Sequence, residues 1–434
     1  MVDKVLGTFF TRLLSTILMI VVVIVNTNVF GAGGTGTIAL VVLGLTILQV
    51  CANFVGGGTL VYLVPRKNIL QLWLLSFLWA CVANVAGLCV LRALDLFPPE
   101  YTWWLLAMTF VFTVYNINVS VIQGKENIRL FNLLQVTQAL LLVAVLVVLL
   151  LVMNTHNIEL YLFSYIFSYL VVAIVSSVYV AKQFEKPSGQ GVFPLLAEML
   201  KLGFWTQIAN LTQLLTYRLN YYLIDHFVGR KPLGVFELGT RISEAVWIFP
   251  KSICLVQYAR IANQPDLEYT KNLTLGFLKI VMAFALAAVV VLALIPAQLL
   301  AIIFGPDFAV SKSVIFSLLP GIVFLSCNTI LAHYFSGYGK YWVNAVGSAI
   351  GLAVTAAVGI PLIPKAMTYG TVYALQTAGW ITSGAYFATL VWSASVFVKR
   401  THAALHDFLI TRADWQMFVQ ICKDKFRNKS FKNS

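Results

Sequence analysis

Long apolar runs, each about the length of one membrane crossing and separated by brief polar connections, set the pattern of this chain. A helix needs about 20 apolar residues to cross the hydrocarbon core. Measured against that length, the sequence predicts twelve spanning helices, over 9–30, 38–63, 70–91, 101–121, 131–153, 160–181, 203–228, 233–257, 272–295, 313–335, 342–363 and 368–398. Only the polar stretch from Lys182 to Leu202 and the tail from Lys399 are long connections. This spacing predicts an all-α polytopic membrane protein of two six-helix lobes, 1–185 and 203–398, joined by a cytoplasmic linker over 186–202 and followed by a basic tail over 399–434.

Composition narrows the classes that remain. With 434 residues, 60% of them hydrophobic and 10% charged, and a mean hydropathy of +0.87, the chain is neither a soluble domain nor a disordered one. Too few residues lie outside the apolar runs to build a large catalytic ectodomain. The first run ends in Asn26-Thr-Asn-Val-Phe-Gly31 rather than in a small-residue cleavage site, so it reads as a retained helix. The six cysteines stand singly, without metal or disulfide spacing.

The net charge of +13 follows the topology rather than a nucleic-acid surface. One set of alternate loops holds Lys4, Arg66, Lys67, Lys125, Arg129, Lys182, Lys186, Lys201, Arg260, Lys271, Lys340 and the tail, while the other holds Arg92, Arg230, Lys231, Lys312 and Lys365. The basic loops face the cytoplasm in most membrane proteins, which places both termini there. In the tail, Phe408, Trp415, Phe418, Val419, Cys422 and Phe426 recur at helical spacing among basic residues. This segment reads either as an interfacial amphipathic helix or as a frayed basic tail that only assists orientation.

An internal repeat supports the two-lobe division. Val29-Phe30-Gly31-x4-Gly36 matches Phe227-Val228-Gly229-x4-Gly234 at an offset of 198, and Gly124-Lys125 and Gly339-Lys340 occupy corresponding loops at an offset of 215. Glycine at these turns permits backbone at positive φ. Duplicated six-helix lobes define a transporter architecture with its substrate site between them near mid-membrane.

The sequence contains no nucleotide-binding loop and no familiar hydrolase motif, so transport is expected to be secondary and ion-coupled. No cofactor is expected beyond a coupling ion, H+ or Na+, and no metal site. His333 is the one histidine deep in a span and reads as a packed helix-end residue. The acids of residues 1–190 all fall in loops or the terminus, whereas the second lobe carries charge inside its helices. Such groups must face protein or water.

On the predicted eighth helix, Glu237, Arg241, Glu244 and Lys251 share one stripe, either a self-neutralised ladder or the polar wall of a cavity. Arg218 lies too deep to snorkel. It requires Asp225 or Glu244 as partner, or a phosphate brought by the substrate. Arg12, near its helix end, can snorkel to the cytoplasmic surface. The candidate substrate-binding residues are Arg218, Arg12, Arg241, Lys251, Gln207, Asn210 and Tyr221, and Asp225 and Glu244 are the candidate ion-coupling carboxylates. Pro250 and Pro320-Gly321 interrupt their helices as packing kinks or as hinges.

The second half resembles the polysaccharide-transport branch, which includes the O-antigen flippases, of the multidrug, oligosaccharidyl-lipid and polysaccharide exporter superfamily. The resemblance rests on Arg218-Leu-Asn-Tyr-Tyr-Leu-Ile, Leu233-Gly-Val-Phe-Glu, Ile303-Phe-Gly-Pro-Asp-Phe, Leu319-Pro-Gly-Ile, Ser336-Gly-Tyr-Gly-Lys and Pro361-Leu-Ile-Pro-Lys, in that order. The chain departs from the family's usual residues at Asn220, at Gln257-Tyr-Ala-Arg260 and at Val354-Thr355. The resemblance implies a MATE-like fold in a bacterial inner membrane and export of undecaprenyl-pyrophosphate-linked oligosaccharide to the periplasmic leaflet. Glycosyltransferases and a polysaccharide polymerase would be partners of the pathway. In that reading Arg218 meets the diphosphate. A multidrug antiporter and a lipid II flippase are rival readings within the superfamily, and a membrane polysaccharide polymerase is one from another class.

Overall fold

The structure is a computed structural model that describes residues 2–186, 191–263, 266–404 and 407. The Arg12 side chain and the amphipathic tail expected beyond residue 407 lie outside the described residues.

The first lobe opens with α1 (Val2–Ala52), which holds two crossings folded at Gly31, whose φ of 64° and ψ of −170° break the helix. A side chain there would be strained. A short α2 (Gly58–Leu63) completes the second crossing, and α3 (Ile69–Ala93), α4 (Thr102–Gly124), α5 (Ile128–Met153) and α6 (Glu159–Ala181) complete the lobe. The second lobe contains α7 (Val192–Phe227), α8 (Arg230–Glu244), α9 (Ile248–Asn263), α10 (Leu267–Leu294), α11 (Ala297–Phe304), α12 (Ser311–Gly337), α13 (Tyr341–Met367) and α14 (Thr371–Thr401). Among the described residues nine helices are long and apolar enough to cross a membrane, counting α1 once. The second crossing of α1, the polar helix α7 and the α8–α9 pair bring the total to the expected twelve.

The stretch over 186–202 is helical from Val192, because α7 begins eleven residues before the expected span at 203. At 36 residues this helix is about 54 Å long. Its first turns belong to the other lobe: Leu195 and Met199 are buried with Val55, Leu60 and Leu72 in the first-lobe core. Gly203 lies so close to the Phe54 carbonyl that a Cβ would collide with it. Farther along, Tyr221, Leu223 and Ile224 join the second-lobe core.

The repeated glycine motif packs against itself. A Cβ on Gly36 would strike the Arg230 carbonyl, and one on Gly234 would strike the Ala32 carbonyl. These reciprocal contacts, each 198 residues from its equivalent, lie across a pseudo-two-fold axis and hold the lobes together at the end of the molecule that carries Gly31 and Gly229. Asn28 adds an interlobe hydrogen bond from its Nδ2 to the Ile303 carbonyl at 2.8 Å. We call this the glycine end, and the opposite one, with Arg66, Lys125 and Lys340, the basic end.

The second repeat is real but shifted by two residues from the glycine match. Gly339 has φ +68, yet its counterpart in the first lobe is Glu126 at φ +57, not Gly124. The Glu126 N–H meets the Gln123 carbonyl and the Gly339 N–H meets the Ser336 carbonyl, both at 2.9 Å. Gly124 instead corresponds to Gly337: a Cβ on the first would press on Val64, and one on the second on Ile261. The offset in these loops is therefore 213 residues, and the glycines common to both halves are there for close packing.

Both proline interruptions are visible. A 3-10 turn over Ala245–Trp247 separates α8 from α9, where Pro250 removes the hydrogen bond to Val246. In α12, the Ser383 hydroxyl of α14 accepts from the Gly321 N–H at 3.2 Å and donates to the Ser317 carbonyl at 2.8 Å. A side chain from the neighbouring helix is thus inserted where one rung of the helical ladder would be, next to Pro320. Small residues make room for it, since a Cβ on Gly321 would lie 2.9 Å from the Ser383 Cα.

Candidate functional site

The polar face of α7 is assembled by helical spacing. Asn210 donates to Gln207 Oε1 at 3.1 Å, and Gln213 donates to the Tyr217 hydroxyl at 3.0 Å. One turn on, the Arg218 guanidinium donates to the Tyr221 hydroxyl at 3.1 Å and forms two parallel bonds with Glu244 of α8, at 2.6 and 2.7 Å. The fork-to-carboxylate geometry is the strong form of this contact. Arg218 also lies over the Tyr221 ring, 5.0 Å from its centre.

Of the partners the sequence left open for Arg218, the structure selects Glu244. Asp225 is held elsewhere: Arg230, at the turn into α8, takes it with Nε at 2.5 Å and a second nitrogen at 3.0 Å. The Arg218 and Glu244 side chains keep 22% and 19% of their surface accessible. The pair is therefore shielded but reachable, a position in which an incoming anion can compete for the guanidinium.

The four-charge stripe predicted on the eighth helix does not form as one ladder. Glu237 and Arg241 pair at i,i+4, Glu244 turns to Arg218 instead of Arg241, and the break before Pro250 carries Lys251 out of register. Lys251 is exposed, with its ammonium 6.0 Å from the Trp247 ring centre. Arg241, Glu237, Asn26, Thr35 and Tyr161 line a small pocket between the lobes. Among the described residues, two buried acceptors there, Asn26 Oδ1 and Glu237 Oε2, have no hydrogen-bond partner.

Other singled-out residues have structural duties. Asn220 donates to the Ala378 carbonyl and to Thr382 Oγ1, tying α7 to α14. His333 Nδ1 lies 2.8 Å from the Thr329 carbonyl of its own helix. Among the described residues no three His, Cys, Asp or Glu side chains converge on a metal position. Tyr161 and Asn26 escaped the sequence reading because it weighed buried charge and passed over uncharged polar residues in the first lobe.

The all-helical fold is similar to that of solved transporters of the MOP superfamily, and the chain is a multi-pass membrane protein. Similar solved structures include the lipid II flippase MurJ in an inward closed conformation (TM-score 0.69, 12% identity, 94% of this chain and 89% of that one). An inward-facing multidrug resistance MATE family transporter is similar at TM-score 0.67 and 14% identity, covering 90% of this chain and 96% of the other. A MOP superfamily transporter from Pyrococcus furiosus, described as having a binding pocket of reversed polarity, matches at TM-score 0.65 and 13% identity over 92% and 94% of the two chains. No family model matches the sequence, and no curated protein does either.

Proposed function

We propose that this protein is a flippase that exports lipid-linked oligosaccharide, carried on undecaprenyl pyrophosphate, by ion-coupled alternating access. The observation that carries this reading is the partly accessible Arg218–Glu244 pair, which joins α7 to α8 in a MOP-type fold. A diphosphate matches the guanidinium fork that Glu244 occupies, so substrate and carboxylate compete for one cation. When the diphosphate enters, Glu244 is released and becomes the group in position to take a coupling proton. Of the two carboxylates expected to couple, Asp225 is tied to Arg230 near the glycine end, which leaves Glu244 in the path of the substrate.

In this reading the basic end faces the cytoplasm of a bacterial cell, and both termini lie on that side of the inner membrane. The lobes, joined at the glycine end, then represent the state closed toward the periplasm. The lipid tail stays in the bilayer while the sugars cross. The glycosyltransferases that build the unit and the polymerase that consumes it are its partners in the pathway. A lipid II flippase is the second reading, favoured by the likeness to MurJ, since it moves a substrate with the same lipid-diphosphate group.

The test is Arg218→Ala, scored by complementation of an O-antigen flippase-deficient strain with the protein level in the membrane measured alongside. Export should be lost at normal protein level, and Arg218→Lys should keep part of it. Normal export by a stable Arg218→Ala protein removes the arginine from the mechanism. Complementation of a lipid II flippase-deficient strain separates the second reading.

A further inference from the structure

The first lobe forms a cavity of about 500 Å³ whose described lining residues, from α1, α2, α4, α5 and α6, are all uncharged. Its polar lining consists mainly of carboxamides, Asn116 and Gln123 on α4 and Gln135 and Gln138 on α5. Separations of seven and three residues place each pair on one face of its helix. Tyr115 and Tyr169 add aromatic surface, their ring centres 5.3 Å apart.

Two of the amides are already held in place. Asn116 donates to Asn53 Oδ1 at 2.9 Å, and Gln138 donates to Ser168 Oγ at 3.2 Å. Gln123 and Gln135 are half-buried and make no hydrogen bond to another protein group among the described residues. Each offers a donor and an acceptor side by side.

The chemistry of this lining selects its occupant. A lipid tail would leave the amides unsatisfied, and a cation would find no carboxylate among the described lining residues. An anionic group would be desolvated without a basic partner among the described lining residues. A neutral sugar ring satisfies both parts of the wall: its hydroxyls donate and accept, and its apolar C–H face covers an aromatic ring. The volume suits a small-molecule site. Met19 lines both this cavity and the interlobe pocket of Glu237 and Arg241, so the uncharged and charged regions adjoin.

We propose that the first-lobe cavity is a binding subsite for uncharged hexopyranose units. It rests on the flippase reading only for how the sugar arrives, with the diphosphate at Arg218 and the glycan in the opposite lobe. The test uses the purified full-length protein in detergent and four probes: a short prenyl diphosphate, the same carrier bearing each of a panel of neutral disaccharides, the same carrier bearing a uronic-acid disaccharide, and the free neutral disaccharides. At least one neutral glycan should bind about tenfold more tightly than the bare carrier, and the acidic glycan should show no gain. Gln135→Leu should reduce that gain roughly three- to tenfold, the factor of one neutral hydrogen bond, and leave the bare carrier's affinity unchanged. The subsite is rejected if no neutral glycan adds affinity, if the acidic one gains equally, or if Gln135→Leu leaves the gain intact. If the bare carrier fails to bind while a free neutral disaccharide binds the wild type more tightly than Gln135→Leu, the flippase reading is rejected and the subsite stands.

Discussion

Gly36 and Gly234 face each other across the lobe interface so closely that a Cβ on Gly36 would come within 3.1 Å of the Gly234 nitrogen. This contact exists only while the glycine end is closed. Replacing Gly234 by valine should therefore hold that end apart and abolish transport with little loss of protein in the membrane. Crosslinking of a cysteine pair placed across the interface, near Asn28 and Ile303, should drop sharply in the variant. Unchanged crosslinking would show that the backbones need not approach there.

The Arg218–Glu244 pair gives a charge-balance prediction. Glu244→Gln should leave the fold standing but strip the coupling group, so that export no longer responds to a proton gradient. Arg218→Ala strands a partly accessible carboxylate, at a cost of about 1–3 kcal/mol. In the double variant Arg218→Ala/Glu244→Gln, melting of the purified protein should return toward the wild-type value while export stays at zero. Export recovering together with stability would mean that the arginine only neutralises its partner.

Removing the Ser383 hydroxyl should be costly for its size. Ser383→Ala leaves the Gly321 N–H and the Ser317 carbonyl without their bridge, a loss of roughly 1–3 kcal/mol, whereas Ser395→Ala, at an exposed hydroxyl bonded only to its own helix, should change little. Thermal unfolding of the two variants side by side checks this.

The shifted repeat makes a prediction opposite to the glycine match. Glu126→Gly should be neutral or stabilising, by up to about 1 kcal/mol, because residue 126 already holds a left-handed conformation. Gly124→Leu should destabilise by more, since Val64 occupies the space. Melting temperatures with the opposite order would return the turn to Gly124.

Orientation is open to direct labelling. A cysteine at Gln123 or at Lys340 in an otherwise cysteine-free chain should react with a membrane-impermeant thiol reagent only after the cells are opened, and one at Asp307 should react in intact cells. The reverse pattern would invert the assignment of the basic end to the cytoplasm.

The number of crossings, the two lobes and the locus of buried charge were legible in the sequence because each depends on local quantities: run length against bilayer thickness, repeated glycine spacing, and the cost of a charge in hydrocarbon. Partner choice was not local. Arg218 stood within reach of Asp225 and Glu244 alike, and only the packing of α7 on α8 gave Asp225 to Arg230 and Glu244 to Arg218. The polar face of α7 concealed where the helix begins, because Leu195 and Met199 look like linker residues until the first-lobe core closes over them. The amides of α4 and α5 are ordinary polar residues along the chain. They become one uncharged cavity wall only because tertiary structure brings two helical faces together around a shared space.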